Sequence, residues 1–141
     1  MPDIFSPAKR SDIMSRIRSK NTSLELRVFS DLRRLGFRFQ KHYSKVPGKP
    51  DVAWPSKKVV VFIDGDFWHG WRYAKRKKKL TLFWRNKIEN NMRRDQRNFR
   101  KLRRMGWRVV RVWEHQLAKD REKAMNKILE MLKPWKGRVV G

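Results

Sequence analysis

The chain has 141 residues, of which 38 are lysine or arginine and 13 are aspartate or glutamate, so its formal net charge at pH 7 is +25. Apolar residues make up 39% of the chain, which is enough for a folded core, so we expect one domain over residues 1–141 with the charge on its surface. The absence of cysteine excludes disulfides and thiolate metal sites.

The excess of basic residues indicates a polyanionic partner. Seven tryptophans favour nucleic acid over a surface that serves only solubility, because aromatic faces stack on bases. On composition alone, a ribosomal-type RNA binder is an alternative. The first residues lack the apolar core of a signal peptide, and the longest apolar run spans only residues 59–63, so we expect a soluble intracellular protein without a membrane segment.

In chain order, the first predicted elements are two helices. Residues 12–19 can form a short basic helix, which makes residues 1–20 a candidate DNA-binding arm at the edge of the domain. The spacing of residues 22–25 is that of a capping box, and apolar residues then recur at helical intervals until Gly36. This pattern predicts a core helix.

Three strands are predicted next. Residues 37–40 alternate between aromatic and polar side chains, and residues 51–54 follow a loop rich in proline and glycine. Residues 58–63 hold a run of β-branched and aromatic residues, which is typical of a strand buried on both faces. A turn at residues 55–57 would pair the last two strands in antiparallel fashion.

The segment 70–79 is strongly basic and has no hydrophobic periodicity. It predicts a loop, which is either solvated and mobile or laid along a phosphate backbone. If it follows a phosphate backbone, its candidate DNA-binding residues are Lys75, Arg76 and Lys77.

The remainder of the chain predicts a helix, a strand and a helix. The longest helix runs from about residue 81 to residue 105, and Asp95 falls on its inner, apolar face. A strand follows at 107–113, then a connector at 114–116 and a last helix from about residue 120 to residue 132. Since a helical crossover implies a parallel strand pair, the predicted fold class is α/β, with a mixed central β-sheet flanked by helices.

Acidic residues and one histidine occur at the predicted ends or inward faces of these elements. They are Glu25, Asp51, Asp64, Asp66, His69 and Asp95. We expect them to converge at one edge of the sheet, where α/β folds hold ligands. Hard oxygen ligands suit Mg²⁺, and a neutral histidine beside the ion can act as general base. With the basic surface, this set favours metal-assisted hydrolysis of a phosphodiester.

Each of these residues also has a purely structural interpretation. Glu25 could be only the acid of a capping box, and Asp51 could cap the turn that follows the proline. Asp64-Gly-Asp66 could be ordinary turn chemistry, and His69 could be a structural histidine in an aromatic setting. Asp95 could form a salt bridge with a neighbouring helix. Their joint occurrence favours the catalytic interpretation.

Several segments between Ser11 and Leu117 carry recognisable motifs. They are Met-x-x-Ile-x-x-Lys-Asn-Thr ending at Thr22, Pro50-Asp51, Val-Val-Val-Phe-Ile-Asp-Gly-Asp-Phe-Trp-His-Gly ending at Gly70, Phe83-Trp84-Arg-Asn-Lys-Ile88, Arg94-Asp95 and Gly106-Trp-Arg-Val-Val-Arg-Val-Trp113-Glu114. Together they resemble the very short patch repair (Vsr) endonucleases of the PD-(D/E)XK superfamily. The resemblance implies that superfamily's restriction-endonuclease-like fold.

The activity that this resemblance implies is that of a Mg²⁺-dependent DNA endonuclease, which hydrolyses a phosphodiester and leaves a 5′-phosphate. Asp51 would bind the metal together with the backbone carbonyl of Ile63, and His69 would be the general base. The residues that would order metal-bound waters or the histidine are Glu25, Asp64 and Asp95.

The resemblance also implies DNA contacts. Three aromatic residues match positions that mismatch enzymes wedge into the duplex, namely Phe67, Trp68 and Trp84. The arm would lie in a groove and contact it through Arg16, Arg18 and Lys20. The implied partner is double-stranded DNA, nicked by a monomer in a bacterial or phage context in the cytoplasm.

The chain departs from the family pattern in its metal ligands. Mismatch enzymes of the family typically carry a structural zinc bound by cysteine and histidine, and at those positions this chain has Asp66, Trp71 and Tyr73, so zinc is not expected. The superfamily lysine after the second acid is also missing. Charge stabilisation is thereby left to the metal, the histidine and nearby lysine or arginine.

Two alternatives to mismatch nicking in very short patch repair stay open. A Vsr-like homing endonuclease, which would cut matched DNA, has an active-site set that Glu25, Asp51, His69 and Asp95 fit equally well. A non-catalytic basic DNA-binding module that kept the fold is the alternative from another class. The homing and mismatch enzymes differ in their substrate, whereas the binding module differs from both in lacking cleavage.

Overall fold

A computed structural model describes residues 23–133, and the predicted arm and first helix lie outside this range. The sheet in the described part has the strand order β1-β2-β3-β4. Its strands are β1 (Gln40–Lys41), β2 (Val52–Trp54), β3 (Val59–Asp64) and β4 (Arg108–Trp113). The helices are α1 (residues 23–34), α2 (Tyr73–Arg76), α3 (Leu82–Arg104), α4 (Glu114–Lys119) and α5 (Arg121–Met131).

The sheet is mixed, which confirms the predicted fold class. Strand β2 pairs antiparallel with β1 and with β3, and a 3₁₀ turn at Pro55–Lys57 makes the second connection. Strand β4 pairs parallel with β3, in a register that runs from Val59 opposite Arg108 to Asp64 opposite Trp113. The parallel pair needs the long crossover that α3 supplies.

Strand β3 is buried along its whole length, because helices cover both faces of the sheet. Its residues Val59, Val61 and Ile63 belong to a core shared with α1 and α5, whereas Val60 and Phe62 pack towards α3. This two-sided burial explains why the strand is apolar at every position until Asp64. The strand therefore ends on an acid at the edge of the core.

The long helices begin and end close to the predicted residues. Helix α3 starts directly after Thr81, and the chain leaves it through Gly106, which has a φ of +88°. Helix α5 is capped by Asp120, whose side chain accepts a hydrogen bond from the Lys123 N–H at 3.1 Å. Within residues 23–133, every helix is too short or too polar to cross a membrane.

Two predictions about irregular segments were wrong. The segment 70–79 is helical in part, since Tyr73–Arg76 form α2 and Lys77–Lys79 form a 3₁₀ turn. The connector at 114–116 is the first turn of α4, because the Gln116 side chain accepts a hydrogen bond from the Trp113 N–H at 3.0 Å and starts the helix.

The predicted strand at 37–40 is shorter than expected. Only Gln40 of that segment pairs with β2, which is itself three residues long. Phe37 and Phe39 instead pack their rings near Trp54, at centroid distances of 6.4 and 6.3 Å. Their burial, and not strand pairing, accounts for the aromatic alternation in the sequence.

Candidate active site

A cluster of two carboxylates and an imidazole lies where α1 approaches the start of β2. Asp51 precedes β2, and its Oδ2 accepts a hydrogen bond from the Ile63 N–H at 2.7 Å. The Oε2 of Glu25 on α1 lies 3.5 Å from the Nε2 of His42. One ligand atom from each of Glu25, His42 and Asp51 falls within 4.8 Å of the others, so the three can hold a metal ion.

The electrostatics of Asp51 also fit a cation. Burial, followed by the hydrogen bond with Glu25, raises the pKa of Asp51 to about 9, although the Ile63 N–H acts in the opposite direction. Two carboxylates in contact must share either a proton or a positive ion, because their charges repel each other in a buried setting. The oxygen donors of Asp51 and Glu25 are the type that Mg²⁺ prefers.

A second cluster lies on the other side of β3, between its end and the middle of α3. The Nδ1 of His69 is 2.7 Å from the Oδ2 of Asp95, and its Nε2 is 3.4 Å from the Oδ1 of Asp64. Burial raises the pKa of Asp64, while the neighbouring His69 and Arg111 lower it. This geometry orients the imidazole through its Nδ1, as required of a histidine that exchanges protons through Nε2.

The structure brings five of the six predicted acids and histidine to this edge of the sheet, in two neighbouring clusters. The Asp51 side chain accepts a hydrogen bond from the Ile63 N–H, and the residue after Ile63 is Asp64 of the second cluster. The sixth, Asp66, lies just after β3 at the same edge but joins neither cluster. Its Oδ1 lies 2.9 Å from the Nδ1 of His115, and its N–H donates to Glu114. Asp66 therefore links the segment after β3 to the start of α4.

Two residues at the site were missed in the sequence. His42 follows β1 and joins Glu25, but no motif marks it. Arg111 on β4 bonds to both Asp64 and Asp95, at 2.7 and 2.8 Å. A signal for Arg111 existed, because an acid on the inner face of α3 requires a cationic partner from a neighbouring element.

The three predicted wedge residues form one aromatic cluster beside the site. The ring of Phe67 lies 5.5 Å from Trp68 and 5.5 Å from Trp84, and the two indoles are 5.8 Å apart. Trp84 is only 2% exposed and Trp68 9%, whereas Phe67 is half-buried and Phe83, whose ring lies 5.0 Å from that of Trp84, is exposed. The buried indoles support these two rings from beneath.

The positions considered for a zinc ion are engaged with protein partners. The Trp71 ring stacks on His115 at a centroid distance of 3.8 Å, and His115 also binds Asp66. The Tyr73 hydroxyl donates to Glu89. One carboxylate with one histidine falls short of the four ligands that structural zinc takes, so these residues do not fit such a site.

The predicted cations of α2 differ in their surroundings. Arg76 is half-buried and donates to the backbone carbonyls of Trp71 and Asp66, at 2.9 and 3.4 Å. Lys75 and Lys77 are exposed. Arg76 thus stabilises the segment after the Phe-Trp-His motif. The Nζ of Lys77 lies 3.8 Å from the Oε2 of Glu89 in an exposed ion pair. The predicted arm contacts Arg16, Arg18 and Lys20 lie outside the described residues.

Comparison with known proteins identifies the family. The family described as DNA mismatch endonuclease Vsr matches residues 2–75. The type II nicking enzyme V.XorIIP of Xanthomonas oryzae is 42% identical over 120 residues, covering 84% of this chain and 88% of the relative. The DNA mismatch endonuclease Vsr of Escherichia coli is 36% identical over 138 residues, or 96% and 88%. The resemblance drawn from the motifs is confirmed, and the chain belongs to the Vsr family of DNA endonucleases.

Proposed function

We propose that this endonuclease nicks double-stranded DNA at a T:G mismatch, by Mg²⁺-dependent hydrolysis of one phosphodiester. The observation that carries the proposal is a pair of clusters joined by β3. One holds the carboxylate pair of Asp51 and Glu25, and the other holds the His69–Asp95 pair, with His69 six residues after Ile63. The names of the relatives, mismatch endonuclease and nicking enzyme, support the same activity.

Asp51 would hold the metal together with the backbone carbonyl of Ile63. The N–H of Ile63 bonds to Asp51, and the N–H and C=O of one strand residue face the same neighbouring strand. The carbonyl is therefore on the side of Asp51. When bound, Mg²⁺ would supply positive charge to the phosphate and to the leaving oxygen. Glu25 would accept hydrogen bonds from waters around that position.

His69 would act as the general base. With the Nδ1 proton donated to Asp95, Nε2 is left as an acceptor that can take a proton from the attacking water. The resulting hydroxide forms a new bond to phosphorus while the bond from phosphorus to the 3′ oxygen breaks. The products are a 5′-phosphate and a 3′-hydroxyl, which takes up a proton from solvent.

The aromatic cluster would enter the duplex beside the target base pair, with Phe67 in front of the indoles of Trp68 and Trp84. Lys75 and Lys77 would lie along phosphates, as would the arm with Arg16, Arg18 and Lys20. One active site suffices to cut one strand. We therefore propose a monomer that acts on DNA in the cytoplasm.

The proposal predicts metal-dependent nicking of a mismatched duplex. Labelled T:G and matched duplexes of one sequence are incubated with wild type or Asp51→Ala, in Mg²⁺ or EDTA. We expect one strand of the T:G duplex to be cut by wild type in Mg²⁺, with little cutting in EDTA or by the variant. The variant should keep most of its affinity for DNA, because the basic surface is unchanged.

The alternative functions give different results in the same experiment. Cutting of matched DNA at one sequence would replace mismatch nicking with the homing type of activity. If well-folded wild type cuts no member of a broad duplex library, the proposal of catalysis fails and only DNA binding remains. If Asp51→Ala is as active as wild type, the Asp51 carboxylate takes no part in the reaction.

A second prediction concerns the exposed lysines of α2. In the double variant Lys75→Gln/Lys77→Gln, the slope of log K against log salt concentration for duplex binding should fall by about 2, because each phosphate contact releases about 0.9 counterion. The matched control is Lys101→Gln/Arg104→Gln at the far end of α3, where the helix leads into β4. If the α2 double variant keeps the wild-type slope, or loses no more of it than the control does, α2 does not contact the phosphate backbone.

A further inference from the structure

Arg111 connects the two acids that flank His69. It lies on β4 opposite Phe62, and its side chain is 22% exposed. Its Nε donates to Asp64 Oδ2 at 2.7 Å, and its Nη2 donates to Asp95 Oδ2 at 2.8 Å. Both contacts are short, charge-assisted hydrogen bonds of the kind that fix a carboxylate in one orientation.

The same two carboxylates face the two nitrogens of the imidazole. Asp95 Oδ2 is shared between Arg111 and the Nδ1 of His69, whereas Asp64 gives Oδ2 to Arg111 and directs Oδ1 towards Nε2. Arg111, Asp64, His69 and Asp95 thus form a closed ring of contacts. Because Arg111 holds Asp64 Oδ2 and Asp95 Oδ2, it determines which carboxylate oxygens can contact His69.

The guanidinium is itself held in place. It lies 4.0 Å from the ring centroid of Trp113 and 5.1 Å from that of Phe99. Stacking against aromatic rings orients the planar group, and a fork with two donors can serve two acids at once. A lysine would retain the positive charge here but could not reproduce both bonds and the stacking.

We propose that Arg111 is a positioning residue for the reaction: it fixes Asp64 and Asp95 so that His69 stays on Asp95 through Nδ1 and presents Nε2 to the attacking water. This inference rests on the proposed role of His69 as general base. Without Arg111, Asp64 would have the Nε2 side of the His69 imidazole as its nearest polar partner. A hydrogen bond between them would occupy the nitrogen that the attacking water needs.

Steady-state kinetics of nicking test the proposal. Arg111→Met should lower kcat about 100-fold while KM stays within about threefold, because a small displacement of a catalytic group is costly. Arg111→Lys should recover part of this loss and fall about 10-fold below wild type. The matched control is Arg108→Met on the same strand, an exposed residue whose guanidinium donates to the carbonyl of Lys133 and whose replacement should leave kcat unchanged.

A spectroscopic measurement tests the contacts among Arg111, Asp64, His69 and Asp95 independently of DNA cleavage. The chain has three histidines, so ¹⁵N-histidine NMR resolves His69 against His42 and His115 as internal references. In Arg111→Met, the ring nitrogen shifts of His69 should change, whereas those of the other two should not. Unchanged His69 shifts in a folded variant would overturn the proposal. In the kinetic experiment, a rise in KM with kcat unchanged would also overturn it and would indicate a phosphate contact instead.

The failure of this inference is distinguishable from the failure of the proposed function. If wild type nicks DNA and Arg111→Met nicks equally well, the positioning role is refuted and the function stands. If His69→Ala nicks as well as wild type, the general base itself is misassigned, whatever Arg111 does. If Arg111→Met does not fold, Arg111→Lys carries both measurements.

Discussion

Replacing Asp51 with asparagine is expected to abolish DNA cleavage and, in the same variant, to stabilise the metal-free protein at alkaline pH. Burial raises the pKa of Asp51 to about 9, from an ordinary value of 3.8. Between these two pH values, the folded protein binds a proton that the unfolded chain has released, so the wild-type free energy of unfolding decreases as pH rises. Asparagine does not titrate, and its amide can still accept from Ile63 and donate to Glu25.

Urea unfolding in EDTA at pH 5.5 and pH 8.5 measures this effect. The advantage of Asp51→Asn should be greater at pH 8.5 than at pH 5.5, by up to about 4 kcal/mol, because a difference of one bound proton changes the free energy of unfolding by about 1.4 kcal/mol per pH unit. Cleavage in Mg²⁺ should fall by at least about 10³-fold, because the carboxylate is proposed to bind the metal. The variant would thus gain stability while losing activity.

A matched control is available in Asp31, a buried acid on α1 that lies in neither cluster of the candidate site. Its carboxylate pairs with Arg34 at 2.5 Å and with Arg121 at 3.1 Å. Asp31→Asn weakens both ion pairs, so it should destabilise the protein at both pH values and leave cleavage near the wild-type level. If Asp51→Asn also destabilises at pH 8.5, Asp51 is not a strained acid and the argument for a cation at this position fails.

The parts of the fold that could be predicted are those in which buried apolar residues recur at regular intervals along the chain. Strand β3 is apolar at each position because both its faces are covered, and α3 carries its inner stripe over six turns. The antiparallel turn at Pro55–Lys57 and the parallel crossover then follow from connection lengths. These features fix the edge of the sheet at which Asp64 and His69 emerge.

Segments held by a single buried side chain could not be predicted from periodicity. In α2, Tyr73 is the one buried residue, and its hydroxyl bonds to Glu89, sixteen positions later in the chain. The charges on either side of it show no pattern. The first turn of α4 similarly begins with hydrogen bonds to side chains, from the Trp113 N–H to Gln116 and from the His115 N–H to Asp66, so its sequence resembles a connector.

The proximity of the candidate site residues could be predicted where they sit in motifs and was missed where they meet across the sheet. Asp51 and His69 lie in segments with a recognisable pattern, whereas Arg111 reaches Asp64 across 47 positions of sequence. Its role depends on the register of β4 against β3, which places Arg111 opposite Phe62. Residues separated in this way become visible as partners only when the strand pairing is known.

Removing the His69 imidazole is the second change with a large expected effect. His69→Ala should lower the single-turnover rate of nicking by about 10²–10⁴-fold, the usual contribution of a general base, with DNA binding retained. Asp95→Asn should cost about 10²-fold or more, because an amide no longer fixes the Nδ1 proton towards itself. Rates are measured at saturating enzyme on a T:G duplex.

The double variant distinguishes a catalytic pair from two independent residues. If Asp95 acts only by orienting His69, His69→Ala/Asp95→Asn should be no slower than His69→Ala alone, since the orienting residue then has nothing to orient. Losses that multiply would mean that Asp95 contributes by another route, and the assignment of this pair as base and orienter would be wrong.

The His115–Asp66 pair is a matched control, because it has the same chemistry outside the active site. Its Nδ1 to Oδ1 distance is 2.9 Å, and His115 also stacks on Trp71. His115→Ala should therefore lower the free energy of unfolding by about 1 kcal/mol or more and leave the nicking rate near that of wild type. Equal rate losses at His69 and His115 would mean that histidine–aspartate pairs in this protein serve the fold, and that the proton acceptor must be sought elsewhere.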